Sequence, residues 1–506
     1  MVARRQISEQ YRWFGLAALS IGVAVLAVDA TVLNFAIPAI TTDLQPSAQQ
    51  LLWIVDIYAF CVASLLITCG TLADRVGPKR LLLLGTVAFA TTSVAAGFAP
   101  SADWLVVFRA LQGAAGATLM PSTLALISVL FPIERERAQA VSIWIAIYAV
   151  GAAAGPLVGG VLLEHFHWGS VFFINAPLCV LMVLGVWLWV PEGSIDRTHR
   201  FDLPGAIASM VALFALVYGV KIGLLEGFAW SVVVAFGVAV VAGWLLRHRL
   251  LHARFPLLDV GLLTQPAVVA IVAVNFVGMF VAVGVLFFIA QYLQLVLGLG
   301  LIQSALYLAP STVVALVVTI ATGRVMGRVS PRRLITLGLL VLLVGCVLLG
   351  VGVQAWIPFG LRPGAVAGAM VVIACGAGMI DPVTNYFIVS VAPPNKAGQA
   401  ASLSETGYEL GAAVGTATLG AVVMMVFHQR AAVTELSQRA LSTLAAAHEA
   451  TSDDPALRAM VDTAFTDGVA AACVVAAAAV AVCCWWSARA LAQTPRAALP
   501  QSSSTS

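Results

Sequence analysis

The chain is a succession of long apolar runs, and the length of these runs restricts what it can fold into. A helix needs about 20 apolar residues to cross the hydrocarbon core of a bilayer. Runs of that length occur near residues 13–38, 50–72, 80–99, 103–128, 138–163, 168–190, 202–223, 230–250, 264–291, 302–326, 333–353, 361–391, 397–427 and 468–491. Backbone groups in lipid must bond to one another, which favours helices. The sequence therefore predicts an all-α integral membrane protein with 14 transmembrane helices.

The composition agrees with a membrane protein and excludes several other classes. Of the 506 residues, 61% are apolar and 10% are charged, and the net charge of +3 gives no reason to expect a nucleic-acid partner. The eight cysteines all lie in apolar runs without a Cys-x-x-Cys pair. His165 and His167 have no further metal ligands nearby in the sequence, and no phosphate-binding loop occurs. We predict no disulfide, metal or cofactor.

A charged hairpin occurs twice, at an offset of 253 residues. The first copy, residues 70–80, reads Gly-Thr-Leu-Ala-Asp-Arg-Val-Gly-Pro-Lys-Arg, and residues 323–333 repeat it with Gly327 in place of Asp74. An internal repeat in an apolar chain is typical of a two-halved transporter. The repeat predicts two six-helix bundles at residues 1–195 and 261–495, a two-helix insertion at 196–260, and a disordered tail at 496–506.

The basic residues predict the orientation of the chain. Twenty of the 26 Lys and Arg residues fall on one side of the predicted spans, which is the cytoplasmic side by the positive-inside rule. Both termini are then cytoplasmic, and the first apolar run is a retained span. The hydrophilic loop at residues 428–467 faces outward. It forms either a short interfacial helix with a solvated loop or a lid over the outer mouth.

Six ionisable residues stand out within the predicted spans: Asp29, Asp56, Arg109, Asp381, Glu405 and Glu409. A charge in the bilayer centre costs at least about 2.5–3.5 kcal/mol, so each needs a structural or functional reason. Glu405 and Glu409 are four residues apart and share one helix face. Repulsion between the two ionised carboxylates favours the binding of a proton to one of them. A site at which a cation displaces a proton needs this property. Alternatively, each acid pairs with a buried cation or hydroxyl.

The other intramembrane charges leave similar alternatives open. Asp29 and Asp56 are each a proton or substrate site or a satisfied structural carboxylate. Asp56 has Trp53 and Tyr58 as neighbours, which could add cation–π attraction. Asp381 precedes a proline and either binds a cation or caps a kink.

Arg109 and the glycines of the fifth span point to helix contacts. Arg109 pairs with an intramembrane carboxylate, modulates its proton affinity, or does both. In the fifth span Gly151, Gly155, Pro156 and Gly159 place small residues four apart, which lets a neighbouring helix approach closely. From physical chemistry alone, this stretch is a packing surface.

Several of these segments resemble the major facilitator superfamily. Residues 70–80 resemble the loop between its second and third helices, and residues 151–160 are similar to the antiporter motif that marks its exporters. The Asp29–Pro38 stretch and Arg109-x-x-Gln112-Gly113 resemble its 14-helix drug:proton antiporters. Trp53-Ile54-Val55-Asp56-Ile57-Tyr58 and Glu405-x-x-x-Glu409 are similar to its exporters of quaternary ammonium compounds.

The resemblance implies a major facilitator fold and proton-coupled antiport. The expected substrates are amphiphilic organic cations such as quaternary ammonium biocides, dyes and drugs, which the protein exports across the inner membrane of a bacterium by alternating access. Expected partners are these cations, protons and membrane lipids, and we expect a monomer. The rivals are export of a metabolite or lipid by the same fold, and an intramembrane enzyme or sensor. No nucleophile–base pair supports an enzyme.

The residues and the resemblance together predict roles for individual positions. Proton coupling or substrate binding falls to Asp29, Asp56, Tyr58, Asp381, Glu405 and Glu409, with Phe288, Tyr292 and Tyr408 as further aromatic candidates. Gating or motif roles fall to Gly70, Asp74, Arg75, Gly77, Arg80, Arg109, Gln112, Gly113, Gly151, Gly155, Pro156 and Gly159. Asp74 and Arg75 are expected to gate the cytoplasmic side through charged contacts between spans. Because Gly327 replaces the acid in the second hairpin, gating is expected from the first half alone.

Overall fold

A computed structural model describes most of the chain. It covers residues 9–46, 48–193, 202–226, 230–253, 256–326, 328–354, 357–392, 396–431, 444–451 and 454–492. Within these ranges the protein is helical, and only an isolated bridge between Met326 and Val329 has β character. Fourteen segments in the described part are long and apolar enough to cross a membrane. The predicted all-α fold with 14 spans is confirmed.

The first six spans are built from eight helices. Their bounds are α1 Glu9–Leu44, α2 Ala48–Val76, α3 Pro78–Gly97, α4 Ala102–Gly116, α5 Leu119–Leu130, α6 Glu134–His165, α7 Ser170–Phe173 and α8 Asn175–Trp189. The fourth span, predicted as one helix, breaks between α4 and α5. There Thr118 turns its hydroxyl to the Ala115 carbonyl, 2.7 Å away. Helices α7 and α8 together form the sixth span.

The rest of the described chain contains ten helices. Their bounds are α9 Leu203–Glu226, α10 Trp230–His252, α11 Val260–Leu263, α12 Pro266–Gln291, α13 Leu301–Val325, α14 Pro331–Gly352, α15 Arg362–Val391, α16 Ala397–Ala431, α17 Leu444–Ala450 and α18 Pro455–Ala490. Of these, the short α11 and α17 belong to no span. A π-helical turn, Tyr292–Val296, continues α12, and a 3-10 turn, Phe359–Leu361, precedes α15.

Helix α18 begins 13 residues before the position predicted from hydropathy, residue 468. Its first turn is capped by Asp454, whose carboxylate accepts hydrogen bonds of 3.0 Å from the backbone N–H groups of Ala456 and Leu457. An acidic cap followed by Pro455 is a strong helix start that a hydropathy window does not detect. Much of the predicted outer loop is therefore helix. Its residues 432–443 and the predicted tail at 496–506 lie outside the described residues.

The hairpin at residues 70–80 joins two helices through a single residue. Helix α2 ends at Val76, Gly77 has φ 108°, and α3 begins at Pro78. A side chain at position 77 would be strained at this angle, and the proline suits the first position of a helix. The second copy is wider, because α13 ends at Val325 and α14 begins only at Pro331. Gly327 lies outside the described residues.

The predicted insertion, α9 and α10, attaches through α9. Helix α10 packs mainly on α9, whereas α9 also contacts α2 and α16. Rings from α2 and α9 pack together, with 5.7 Å between the centroids of Trp53 and Tyr218 and 5.6 Å between those of Phe60 and Phe214. One helix of the pair therefore touches a span of each predicted half.

Candidate functional site

The first charged group is a buried network centred on Asp29 of α1. Arg109 of α4 donates from Nη1 to Asp29 Oδ2 at 2.7 Å. Gln112 and Asn175 donate to Asp29 Oδ1 at 2.9 and 2.8 Å. Ser93 of α3 accepts from Gln112 at 3.2 Å and from Asn175 at 3.0 Å, and it donates to the Phe172 carbonyl at 2.8 Å. Both oxygens of the Asp29 carboxylate are therefore satisfied by donors.

Aromatic rings close the cationic side of this network. The Arg109 guanidinium lies 4.4 Å from the ring centroid of Tyr58 and 5.9 Å from that of Phe172. Asp29 and Arg109 are each only 1% exposed. Removing one member of a buried ion pair costs about 3–5 kcal/mol, because the other charge remains in a medium of low polarity. The network thus joins α1, α2, α3, α4 and α8 into one unit.

The second charged group consists of the three acids on α15 and α16. Glu405 is buried at 6% exposure, and Glu409 and Asp381 are half-buried. Glu405 lies within electrostatic range of both other carboxyls. No hydrogen bond or ion pair to the Glu405 carboxylate is made by any residue that the structure describes. A buried acid in such surroundings is suited to exchanging a proton or a cation rather than to holding helices together.

Polar and aromatic groups surround these acids. Tyr148 of α6 is 37% exposed and lies within electrostatic range of Glu405 and Glu409. The acids of α16 therefore face a span of the other predicted half. Behind them runs a chain of hydrogen bonds: Asn275 donates to Ser404 at 2.6 Å, Ser404 to Asn385 at 3.2 Å, and Asn385 to Tyr408 at 3.1 Å.

The other predicted binding residues lie elsewhere. The side chain of Asp56 lies outside the described residues. Tyr58 belongs to the Asp29 network, where its ring covers Arg109. Phe288 is packed in the apolar core, and Tyr292 is fully buried with its hydroxyl donating to the Val353 carbonyl at 3.0 Å. Of the predicted aromatic candidates, Tyr408 lies in the hydrogen-bonded chain next to the α15 and α16 acids, and Tyr58 lies within electrostatic range of Glu409.

The predicted gate brings α2 against the start of α16. The Asp74 carboxylate accepts from the backbone N–H groups of Gly398 at 2.7 Å and Gln399 at 2.9 Å. These N–H groups are unpaired within a helix and carry its partial positive charge, so they attract a carboxylate. The backbones nearly touch, because a Cβ on Gly70 would lie 2.5 Å from the Gly398 carbonyl oxygen. The acid of the first hairpin thus bridges the two predicted halves.

The other hairpin charges make different contacts. Arg80 pairs with Glu192 at 3.6 Å, and Lys79 donates to the carbonyls of Trp187 and Val190 at the end of α8. Arg75 is half-buried, and its Nη1 has no hydrogen-bond partner among the described residues. Among the charges of this hairpin, Asp74 therefore contacts the other predicted half, at a helix terminus, whereas Arg80 does not.

The glycines of the fifth span pack α6 on α1. A Cβ on Gly151 would lie 3.0 Å from the Ala24 carbonyl oxygen, and one on Gly155 would lie 2.9 Å from Thr31 Cβ. Gly159 is buried as well, whereas the side chain of Pro156 lies outside the described residues. Gly113 serves the same purpose in α4, where a Cβ would lie 2.5 Å from the Tyr58 carbonyl oxygen. These positions allow helices to approach closely, as predicted for the fifth span.

The sequence did not predict several neutral polar residues of these two groups. They are Ser93, Tyr148, Asn175, Asn275, Asn385 and Ser404. Charge is what makes a residue stand out within an apolar run, and these side chains carry none. A search for Asn and Gln within apolar runs would have identified Asn175, Asn275 and Asn385.

Comparisons with known proteins establish the family. The sequence model of the Major Facilitator Superfamily matches residues 19–416. The chain belongs to this superfamily. The multidrug efflux pump LfrA of Mycolicibacterium smegmatis is 41% identical over 411 residues, which are 81% of this chain and 80% of LfrA. The methyl viologen resistance protein SmvA of Salmonella typhimurium is 33% identical over 423 residues, 82% of this chain and 83% of SmvA.

Solved structures support the fold of this facilitator. A double-tryptophan mutant of XylE superposes with a TM-score of 0.61 at 14% identity and covers 93% of this chain and 95% of its own. The human organic anion transporter MFSD10 gives 0.60 at 12% identity and covers 93% and 99%. At these identities the likeness concerns the fold alone. The superfamily consists of transporters, so the prediction of a multi-pass transporter rather than an enzyme is confirmed.

Proposed function

We propose that this facilitator exports organic cations in exchange for protons. The observation that carries the proposal is the acid cluster of Glu405, Glu409 and Asp381, which lies inside the spans with Glu405 unpaired among the described residues. A buried acid without a protein cation can take a proton or a substrate cation in turn. Relatives named for multidrug efflux and for resistance to methyl viologen, an organic dication, support this substrate class.

The cluster has the chemistry that a lipophilic cation requires. The carboxylates of Glu405 and Glu409 supply negative charge, and the rings of Tyr148 and Tyr408 lie beside them. Aromatic faces attract organic cations, and a desolvated site strengthens the attraction. Asp56 remains a candidate for the same site. The surplus of intramembrane acids over the single Arg109 disfavours an anionic substrate.

Cation export is coupled to proton movement because the cation and the protons compete for these acids. The cation enters from the cytoplasm or the inner leaflet while the gate at Asp74 is open. After the gate closes and the site opens outward, protons displace the cation, and their inward return drives the cycle. This scheme places the protein in the inner membrane of a bacterium with both termini in the cytoplasm. The two bundles, the inserted pair and the monomeric state stay predictions.

The proposal is tested in proteoliposomes with an imposed pH gradient and a fluorescent lipophilic cation. The wild-type protein should move the cation against the proton flow, and Glu405→Gln should abolish gradient-driven movement. Glu164→Gln is the matched control, because Glu164 is exposed at the end of α6.

One outcome would contradict the proposal, and another would change only the residue that carries the coupling. Absence of cation movement by the wild-type protein would reject cation export and favour a metabolite or lipid. Coupled transport that survives in both Glu405→Gln and Glu409→Gln would keep the exporter but move the coupling site to Asp29, Asp56 or Asp381.

A further inference from the structure

Residues 257–263 lead from the inserted pair into α12 and lie at the gate. Leu257, Leu258 and Leu262 are only 1–3% exposed, so the segment is packed against the spans rather than loose in water. It includes the short helix α11, which Asp259 caps by accepting from the Gly261 N–H at 2.7 Å. The segment is bonded both to α2 and to the start of α16, the two helices that meet at the gate.

The attachment to α2 is made by Thr71. Its hydroxyl contacts the Leu257 carbonyl at 3.1 Å and the Ile67 carbonyl of its own helix at 3.0 Å. Thr71 directly follows Gly70, whose backbone meets α16.

The attachment to α16 is made by Asp259. Its backbone N–H donates to Gln399 Oε1 at 3.1 Å, and its carboxylate forms an ion pair with Lys396. The backbone N–H of Gln399 is also one of the two donors to Asp74. Gln399 is therefore held by α2 through its backbone and by residues 257–263 through its side chain.

We propose that residues 257–263 are a latch that holds the gate closed and couples the inserted helices to alternating access. Opening the gate separates α2 from the start of α16, and a segment fastened to both must release one of them. The contacts of Asp259 with Lys396 and Gln399 are the ones that break. Asp259 and Lys396 are positioning residues, because they act through the Asp74 contact. The inference rests on the proposed function only in assuming alternating access.

The test uses the full-length protein in lipid nanodiscs and measures hydrogen–deuterium exchange at residues 397–402. Asp259→Asn retains the helix cap and the backbone N–H but removes the ion pair. The pair is partly exposed, and such pairs contribute modestly. Asp259→Asn and Lys396→Gln should each accelerate exchange about two- to fivefold. The double variant should change exchange by less than the sum of the two single variants, because both changes break the same Asp259–Lys396 pair.

The charge-swapped variant Asp259→Lys with Lys396→Asp should return exchange towards the wild-type rate. Glu164→Gln, which lies at the exposed end of α6 and takes no part in the latch contacts given above, should leave exchange unchanged. Unaltered exchange in both single variants, or strictly additive effects in the double variant, would overturn the latch. Cation transport in proteoliposomes is measured in parallel. Faster exchange without any wild-type transport would retain the latch and reject the cation exporter, whereas normal transport with unaltered exchange would do the reverse.

Discussion

Asp29 and Glu405 are both buried carboxylates inside membrane spans, yet their surroundings are opposite. Asp29 is surrounded by Arg109, Gln112 and Asn175, which donate to both of its oxygens. Glu405 has no such partner among the described residues and lies near two further acids. A carboxylate held by several donors fixes a structure, whereas one without them is free to exchange its proton. Asp29 is therefore built into the structure, whereas for Glu405, which looks similar in the sequence, we propose a role in transport.

The largest expected effect is on the Asp29 network. Arg109→Leu leaves a buried carboxylate without its cation, so we expect a loss of about 3–5 kcal/mol in the free energy of unfolding. The measurement is the apparent melting temperature in detergent together with the yield of folded protein. Arg80→Leu is the control, because the Arg80–Glu192 pair is exposed and long, and such pairs contribute about 0–1 kcal/mol. Equal melting temperatures for the two variants would remove the structural role assigned to the network.

Glu405→Gln should have a small effect of the opposite sign on stability. The substitution replaces a buried ionisable group next to Glu409 with a neutral amide of the same size and breaks no hydrogen bond to a described residue. We expect the free energy of unfolding to stay the same or to rise by about 1 kcal/mol. The apparent melting temperature is again the readout. A marked loss of stability would mean that Glu405 has a structural partner, and the contrast with Asp29 would fail.

The sequence predicted the spans well because length and hydropathy determine what can cross a bilayer. It also identified Asp29, Arg109 and Glu405 as charges inside the spans and predicted that Arg109 pairs with an intramembrane carboxylate. It could not say which carboxylate, because that depends on how α1, α4 and α8 pack. The partners of Asp74 could not be predicted either, because they are backbone N–H groups at a helix start and no side-chain pattern marks them. Helix starts set by caps, as at Asp454, also escape a hydropathy window.

Asp43 separates the effect of hydrogen-bond donors on stability from the effect of burial. Of the substitutions considered, the one at Asp43 is expected to change stability least. Like Asp29, Asp43 accepts from side-chain donors, in this case two, Trp168 Nε1 at 2.6 Å and His167 Nε2 at 3.1 Å, but it is exposed at the end of α1. Hydrogen bonds from Trp168 and then His167 lower the pKa of Asp43 from 3.8. A lowered pKa means that the ionised group stabilises the fold above about pH 4, and that this contribution disappears as the pH falls through the folded-state value.

The prediction is a pH-dependent difference between the wild-type protein and Asp43→Asn. Their apparent melting temperatures should differ slightly at about pH 6 and converge towards about pH 3, because protonated Asp43 loses the advantage over an amide. Titrations elsewhere affect both proteins equally and cancel in the difference. A difference as large as that of Arg109→Leu would show that donors alone, without burial, account for the stability of the Asp29 network. A small and vanishing difference attributes that stability to the exclusion of water around Asp29 and Arg109.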